Sequence, residues 1–431
     1  MSPVLSAASR RLLALVALAT GAAACTERLD SGAACPALCP VENAAVVDTV
    51  LDAVSLDSTV AGFPVPGEAS TLLLALRPGR DSLDVRAIVR FDSLATRYFP
   101  PAGGDSLAIT RADSTTLSLR LDTSGTRFTQ PLTIEAYDVD TSLATVDTAT
   151  AALTTLFRPA RRLGTLTVQP GTAALDSLRI RISDTAFVNR TQGSRRLRIG
   201  LRLVSGAAAQ LRVIAAAAGG AGDGPRLTYD PVPDTLYQPV VVVTRSVTPT
   251  PAAIGALYTT FSIASVAARA ALGTDLVVGG APAERVFLRF AVPRRLADST
   301  TIVRATLELV QRPARGLATG DSVTVRSQAV TATEAVTDVR RAANLLASSS
   351  LVATDSLRLS PSDSGRRVIA VVQLVRAWRS LPEGTQRAMV LRSAFEGSEV
   401  GEVRFFSSEG PAALRPRLRL SYIPRTEFGI P

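Results

Sequence analysis

The chain has 431 residues, which is too long for one ordinary hydrophobic core and predicts two or three domains. Hydrophobic residues make up 46% of the chain and charged residues 19%, which excludes an intrinsically disordered protein. The formal net charge is +10 and the chain contains no histidine, so the commonest general base and metal ligand is missing.

The first 24 residues have the parts of an export signal. Two arginines precede a short apolar run, Leu12 to Ala19, and small residues lead up to Cys25. The run is too short to span a bilayer. Cys25 resembles the lipidated cysteine of a bacterial lipobox, and the alternative is a plain secretory signal followed by an incidental cysteine. The lipobox predicts a signal peptide over 1–24 and an exported protein anchored through Cys25 to the outer membrane or cell surface, because Thr26 is not the Asp that retains lipoproteins in the inner membrane.

Cys35 and Cys39 lie in a short segment, 25–45, which we interpret as a tether. The pair resembles half of a zinc site, but no second cysteine pair and no histidine complete it. In an exported protein a local disulfide between Cys35 and Cys39 is the favoured alternative.

From about Val46 onwards, apolar and polar residues alternate, which is typical of half-buried β-strands. The clearest alternations are Leu117/Leu119/Leu121, Leu178/Ile180/Ile182, Leu197/Ile199/Leu201/Leu203, Leu307/Leu309 and Val323/Val325. Asp-Ser pairs that favour turns punctuate these strands at Asp81, Asp105, Asp113, Asp176, Asp298, Asp321 and Asp355. Many short strands between turns predict an all-β protein of antiparallel β-sandwiches.

Helical patterns are few. The better candidates are Thr148 to Phe157 and Val336 to Leu346, and Gln373 to Trp378 adds one turn. The proline-rich stretch 233–253 is the predicted linker, and Val240 to Val243 within it is predicted to pair along a sheet edge.

Several sequence segments occur twice in the same order. The strand Arg285 to Phe290 resembles Arg86 to Phe91, and each copy closes on a Pro-Arg-Leu strand, at Pro416 and at Pro225. Repeated landmarks in a constant order indicate a duplicated domain. We therefore predict two tandem sandwich repeats over 46–232 and 254–425, followed by a tail over 426–431.

The second repeat resembles the DNRLRE family of secreted bacterial β-sandwich domains, over about Thr274 to Tyr422. The motifs that carry this resemblance are Leu276 to Gly279, Arg285 to Phe290, Ala305 to Leu309, Val371 to Trp378, Phe406 to Glu409 and Arg415 to Tyr422. The first repeat keeps Arg86 to Asp92 and Pro225 to Tyr229, but it lacks the Phe-x-Ser-x-Glu turn and the tryptophan.

The resemblance implies a jelly-roll-like sandwich without catalytic residues, and some relatives look like carbohydrate-binding modules. We therefore expect no enzyme activity and no cofactor, and extracellular polysaccharide, acidic polysaccharide included, as the ligand class. The alternative is a structural or assembly protein that binds a protein partner through a sheet edge. The arginines are scattered rather than clustered, so nucleic acid is not an expected partner.

Three motifs are candidate sites. Gly104 to Leu107 spells the GDSL esterase motif, but Ser106 has no histidine base to activate it. Asp138 and Asp140 suit either a structural calcium ion or a solvated strand end, and the second interpretation is favoured because two carboxylates make a poor site. Trp378 is either a packing residue, which is favoured, or a sugar-stacking platform.

Four pairs of neighbouring arginines are further candidates. They are Arg161-Arg162, Arg195-Arg196, Arg294-Arg295 and Arg366-Arg367. Such pairs usually lie on solvated faces, and the alternative is a shared groove for a polyanionic glycan.

Overall fold

The structure is a computed structural model. It describes residues 46–62, 71–79, 82–99, 104–140, 153–171, 176–215, 224–232, 240–243, 260–266, 273–314, 321–347, 356–378, 381 and 385–424. The predicted signal peptide, tether and tail, with Cys25, Cys35 and Cys39, lie outside the described residues.

In the part of the chain that the structure describes, sixteen strands precede residue 270. They are β1 (Val47–Leu51), β2 (Val54–Gly62), β3 (Thr71–Arg77), β4 (Leu83–Phe91), β5 (Arg97–Tyr98), β6 (Leu107–Ala108), β7 (Arg111–Arg120), β8 (Arg127–Phe128), β9 (Leu132–Asp138), β10 (Arg162–Val168), β11 (Ser177–Arg181), β12 (Leu197–Val204), β13 (Ala209–Ile214), β14 (Arg226–Val232), β15 (Val240–Val243) and β16 (Thr260–Val266).

Nine further strands follow among the described residues: β17 (Leu276–Gly279), β18 (Ala283–Phe290), β19 (Thr300–Arg312), β20 (Val323–Thr331), β21 (Ser356–Leu359), β22 (Gly365–Ala370), β23 (Arg387–Ser393), β24 (Glu402–Phe405) and β25 (Arg417–Pro424). The α-helices of the described ranges are short: α1 (Asp184–Gln192), α2 (Arg294–Asp298), α3 (Val339–Ala347) and α4 (Val372–Ala377). The all-β prediction is confirmed.

The first sandwich has two antiparallel sheets. One runs in the order β10-β9-β12-β4-β3-β13-β8, with β16 paired to β4, and the other runs β11-β7-β14-β15. Alternation along each strand sends one set of side chains between the sheets, where Leu117, Leu119, Ile180 and Leu227 are buried in one core.

The second sandwich repeats this arrangement. Strands β22-β19-β25-β1 match the smaller sheet, and β21-β20-β23-β18-β17-β24 match the larger one, with β2 paired to β18 where the first sandwich has β16 on β4. In the second sandwich the smaller and larger layers join into one continuous sheet, because the long β19 of the smaller layer also pairs with β24 of the larger layer. Its core, which includes Leu307, Leu309, Phe405 and Leu418, is separate from that of the first sandwich.

The strand register matches between the copies residue by residue. Leu117 pairs with both Leu227 and Ile180, and Leu307 pairs with both Leu418 and Ile369. Since the Pro-Arg-Leu strands supply Leu227 and Leu418, the duplicated motifs occupy equivalent places in the two folds.

The strands that close each sandwich come from an unexpected part of the chain. β15 and β16 complete the first sandwich on β14 and β4, while β1 and β2 complete the second sandwich on β25 and β18. The N-terminal strands therefore belong to the C-terminal sandwich. Both arrangements cross the boundaries predicted at residues 46–232 and 254–425. The pairing of β15 agrees with the edge position predicted for Val240 to Val243.

The helix predictions at Val336 to Leu346 and Gln373 to Trp378 are confirmed within a few residues by α3 and α4. Of Thr148 to Phe157, residues 153–157 are described and form a single turn, in which the Leu156 N–H donates to Leu153 O at 3.0 Å. The predicted turn at Asp113 is instead an irregularity within β7, where Ser114 has φ of 56°. Across the described ranges, no helix is long and apolar enough to cross a membrane.

Candidate binding cleft between the sandwiches

A polar cavity of about 300 Å³ lies where the two sandwiches meet. Its first wall comes from β8, β13 and the turn at Thr123–Gly125, and its second wall from β21 and the loops around β20 and β23. The side chains that carry its chemistry are Arg127, Arg212, Asp321, Arg358, Phe395 and Glu399. The volume lies at the lower end of the range for small-molecule sites.

Arg212 on β13 links the two walls. Its Nε donates to the Ser398 carbonyl at 2.8 Å, and its guanidinium lies 3.5 Å from Asp122 and 3.9 Å from Glu399. The arginine passes directly over Gly125, where an added Cβ would lie 2.0 Å from Arg212 Cδ. A glycine at this turn is therefore what lets the side chain reach across the cleft.

Asp122 holds the turn beneath Arg212. Its Oδ1 accepts from the Ser124 N–H at 3.0 Å and from the Ser124 hydroxyl at 2.6 Å. Burial alone would raise the pKa of Asp122, but the Ser124 hydrogen bonds and the charge of Arg212 bring it below its ordinary value. Asp122 therefore stays ionised and keeps Arg212 in place.

Glu399 is the most perturbed carboxyl group lining the cleft. Burial raises its pKa to about 7, against the opposing effects of Arg212, a hydrogen bond from the Ser393 hydroxyl and Arg358, while Asp321 adds to the rise. The Ser393 Oγ donates to Glu399 Oε2 at 3.2 Å. Near neutral pH the group is thus present in both its protonated and its ionised form.

The remaining polar side chains lie at the mouth. Arg127 forms an ion pair with Asp321 across the sandwich boundary at 3.3 Å, and Arg358 Nε donates to the Ser322 hydroxyl at 2.9 Å. Phe395 is 47% exposed beside them. The cleft therefore combines guanidinium donors, carboxylate acceptors and one exposed aromatic ring. Among the described side chains, no group of three or more Asp, Glu or Cys residues could hold a metal ion.

No family model matches the chain, and no curated protein is similar to it at a significant level. A search of solved structures gives a weak likeness to the M60 catalytic domain with the CBM51-1 and CBM51-2 domains of Clostridium perfringens ZmpB. The sequence identity is 10% and the TM-score 0.14, and the match covers 77% of this chain. The chain spans about 37% of the length of that protein. A likeness at this level carries no argument about the function of the present chain.

Of the residues considered as candidate sites, those that the structure describes do not line the cleft. Trp378 is buried in the core of the second sandwich and its indole N–H donates to Ala388 O at 3.3 Å, so it is a packing residue. Ser106 accepts from Arg97 Nε at 2.8 Å. None of the four arginine pairs lines the cleft.

Asp138 and Asp140 are held by arginines. Asp138 pairs with Arg190 at 2.5 Å and Asp140 with Arg196 at 2.6 Å, and Asp140 is buried. The two carboxylates are therefore neither on a solvated strand end nor arranged around a vacant cation position, because guanidinium groups already balance their charge.

The cleft residues were not identified from the sequence. They come from separate segments, with an isolated arginine, phenylalanine or acid in each, so no local pattern marks them. The nearest signal is the Asp-Ser pair at Asp321, which by itself predicts only a turn.

Proposed function

We propose that this is an exported, lipid-anchored and non-catalytic surface protein that binds extracellular polysaccharide in the cleft between its sandwiches. We further propose that both sandwiches are DNRLRE-like domains. The observation that carries the binding proposal is the cleft itself, in which an exposed phenyl ring lies among charged hydrogen-bonding groups.

The chemistry of the lining suits a sugar. Hydroxyl groups both donate and accept hydrogen bonds, so the guanidinium of Arg358 and the carboxylates of Asp321 and Glu399 are matched partners. Phe395 offers an apolar face against which the C–H side of a pyranose ring can pack. The small volume fits a short stretch of a polymer rather than a large folded partner.

The carboxyl groups of Asp321 and Glu399 invite comparison with the acid pair of a glycosidase. In this cleft each faces an arginine of the other sandwich, Arg127 and Arg212 respectively. These ion pairs support a role in holding the sandwiches together and in binding, which is the basis of the non-catalytic proposal.

Affinity electrophoresis in gels that contain neutral or acidic polysaccharides tests the binding proposal. We expect retention on at least one polymer, and we expect Phe395→Ala or Arg358→Ala to reduce it. The matched control is Phe99→Ala, because Phe99 is also an exposed phenylalanine, at 69%, but does not line the cleft.

Unchanged retention of the cleft variants would contradict this assignment. Retention of envelope proteins in a pull-down, with no polymer retained at low salt, would instead favour the assembly role. Release of reducing sugar that Glu399→Gln abolishes would contradict the non-catalytic part of the proposal. Loss of membrane association in Cys25→Ser tests the lipid anchor.

A further inference from the structure

The strand that completes the larger sheet has the same register in both sandwiches. In the second sandwich, Val60 of β2 pairs with Arg285 of the duplicated strand. In the first sandwich, Ile263 of β16 pairs with Arg86, which is the residue equivalent to Arg285. β2 and β16 are therefore equivalent strands of the two copies.

The strand that completes the smaller sheet is also equivalent in the two copies. Leu51 of β1 pairs with Leu418, the leucine of the Pro-Arg-Leu strand in the second sandwich. Val242 of β15 pairs with Leu227, the matching leucine in the first sandwich. The pair β1 and β2 therefore corresponds to the pair β15 and β16, and we call these two pairs the closing strands.

The closing strands are exchanged between the two copies within the chain. β1 and β2 are followed after eight residues, 63–70, by β3 of the first sandwich, and β15 and β16 are followed after nine residues, 267–275, by β17 of the second. Each pair nevertheless completes the other sandwich, because β15 and β16 lie on the first sandwich and β1 and β2 on the second. Strands that come before one sandwich thus close the other one, which is the arrangement of a domain swap.

The contacts of β1 and β2 are made with the second sandwich. The Ser408 N–H donates to Asp57 Oδ2 at 2.7 Å, and Leu56 is buried in a cluster with Phe287. In the described part of the chain, neither strand pairs with a strand of the first sandwich. The second sandwich of another copy would therefore offer β1 and β2 the same partners.

We propose that two copies of this chain associate by strand exchange, in which β1 and β2 of one copy complete the second sandwich of the other. The exchanged form keeps the strand pairing of β1 and β2, and only the connection through residues 63–70 differs. Eight residues span at most about 30 Å, so the two copies lie side by side. The closing strands share no residue with the cleft, so the exchange does not depend on what the cleft binds.

Concentration decides between the closed monomer and the exchanged dimer, because the same contacts form in both. Within one chain, the short connection holds β1 and β2 near their sandwich at an effective concentration of about 1 mM. The monomer is therefore favoured at micromolar concentration, and exchange is favoured where copies are crowded together. The strands must leave their sandwich before they exchange, so refolding gives both forms an equal chance to appear.

The test detects exchange by a disulfide that only the exchanged strands can form between copies. The full chain carries Cys25→Ser, Cys35→Ser and Cys39→Ser, which removes its three native thiols. The Ser421 hydroxyl on β25 donates to Asp48 Oδ1 on β1 at 2.5 Å, so cysteines at these positions are close enough to be bridged. One batch carries Asp48→Cys and the other Ser421→Cys. The two are mixed in urea, refolded together at micromolar or near-millimolar concentration, oxidised, and separated on a non-reducing gel.

We expect the Asp48→Cys and Ser421→Cys chains to become linked, and the linked fraction to rise several-fold from the lower to the higher concentration. The matched control divides Thr133→Cys and Thr167→Cys between two batches. These hydroxyl groups also face each other, at 3.1 Å, but β9 and β10 remain together in one sandwich. A second control carries Asp48→Cys and Ser421→Cys in one chain, which is oxidised before unfolding and should refold as a monomer in light scattering.

Linkage no greater than that of the Thr133→Cys and Thr167→Cys control would overturn the proposal. Dimer formation that is equally strong in the chain closed in advance would also overturn it, because association would then not require the closing strands. No polysaccharide enters this test, so its failure is distinct from a failure of the cleft proposal.

Discussion

Replacement of Arg285 by leucine should destabilise the protein strongly, because Arg285 forms a fully buried ion pair. Its Nε and Nη2 donate to the two carboxylate oxygens of Glu396 at 2.8 and 2.7 Å, and the two side chains are 0% and 2% exposed. Removing one partner of such a pair leaves a buried charge and typically costs about 3–5 kcal/mol. Arg392 remains 3.7 Å from Glu396, so we expect the lower end of this range.

The first sandwich offers a matched control in Arg86, the equivalent residue of the duplicated strand. Arg86 pairs with Asp84 at 2.7 Å, but both side chains are partly exposed, and Arg202 also contacts Asp84 at 3.1 Å. Arg86→Leu should therefore cost only about 1 kcal/mol. Urea denaturation followed by circular dichroism measures both effects. A cost for Arg285→Leu no larger than that for Arg86→Leu would contradict the prediction, and so would a double variant Arg285→Leu/Glu396→Leu that recovers none of the loss.

Three further predictions follow from the core and the cleft. Burial raises the pKa of Glu399 to about 7, whereas its pKa in the unfolded chain is 4.5. The protonated side chain therefore contributes fully to stability below pH 4.5, and this contribution is lost as the pH rises through 7. Between about pH 4 and 8, the free energy of unfolding, measured by denaturation, should change by about 3 kcal/mol less in Glu399→Gln than in the wild type. The same pH dependence in the variant and the wild type would show that the carboxyl is solvated. Trp378→Ala should lower the free energy of unfolding by about 3–5 kcal/mol, and a cost below about 1 kcal/mol would place the ring outside the core. Gly125→Ala should displace Arg212 and reduce polysaccharide retention, and normal retention would argue that Arg212 does not shape the cleft.

The alternation of apolar residues predicted the strands well, because a sheet with one buried face requires a period of two. Leu117, Leu119 and Leu121 are all buried along β7 and its end. Helix α1 was missed, since only Phe187 and Thr191 of its nine residues are buried and its apolar stripe is weak. Sequence repetition located equivalent strands, and the structure shows them in the same register.

The closure of the second sandwich by β1 and β2 could not be predicted from local patterns. Val47 pairs with Tyr422, so the contact joins opposite ends of the described chain. The sequence of a strand indicates which of its faces is buried, but it does not indicate which strand or sheet that face packs against. The cleft could not be predicted for the same reason, because it forms only where the two sandwiches meet.

The most direct test of this architecture is hydrogen exchange, measured by mass spectrometry, on a chain that lacks residues 46–62. These residues hydrogen-bond to β18 and β25, and their Leu56 and Val60 pack in a cluster with Phe287. We expect the amides of β18 and β25 to lose protection from exchange, while those of β4 and β14, which are nearer in sequence to the deleted residues, keep theirs. Loss of protection in β4 with β18 unaffected would contradict this expectation.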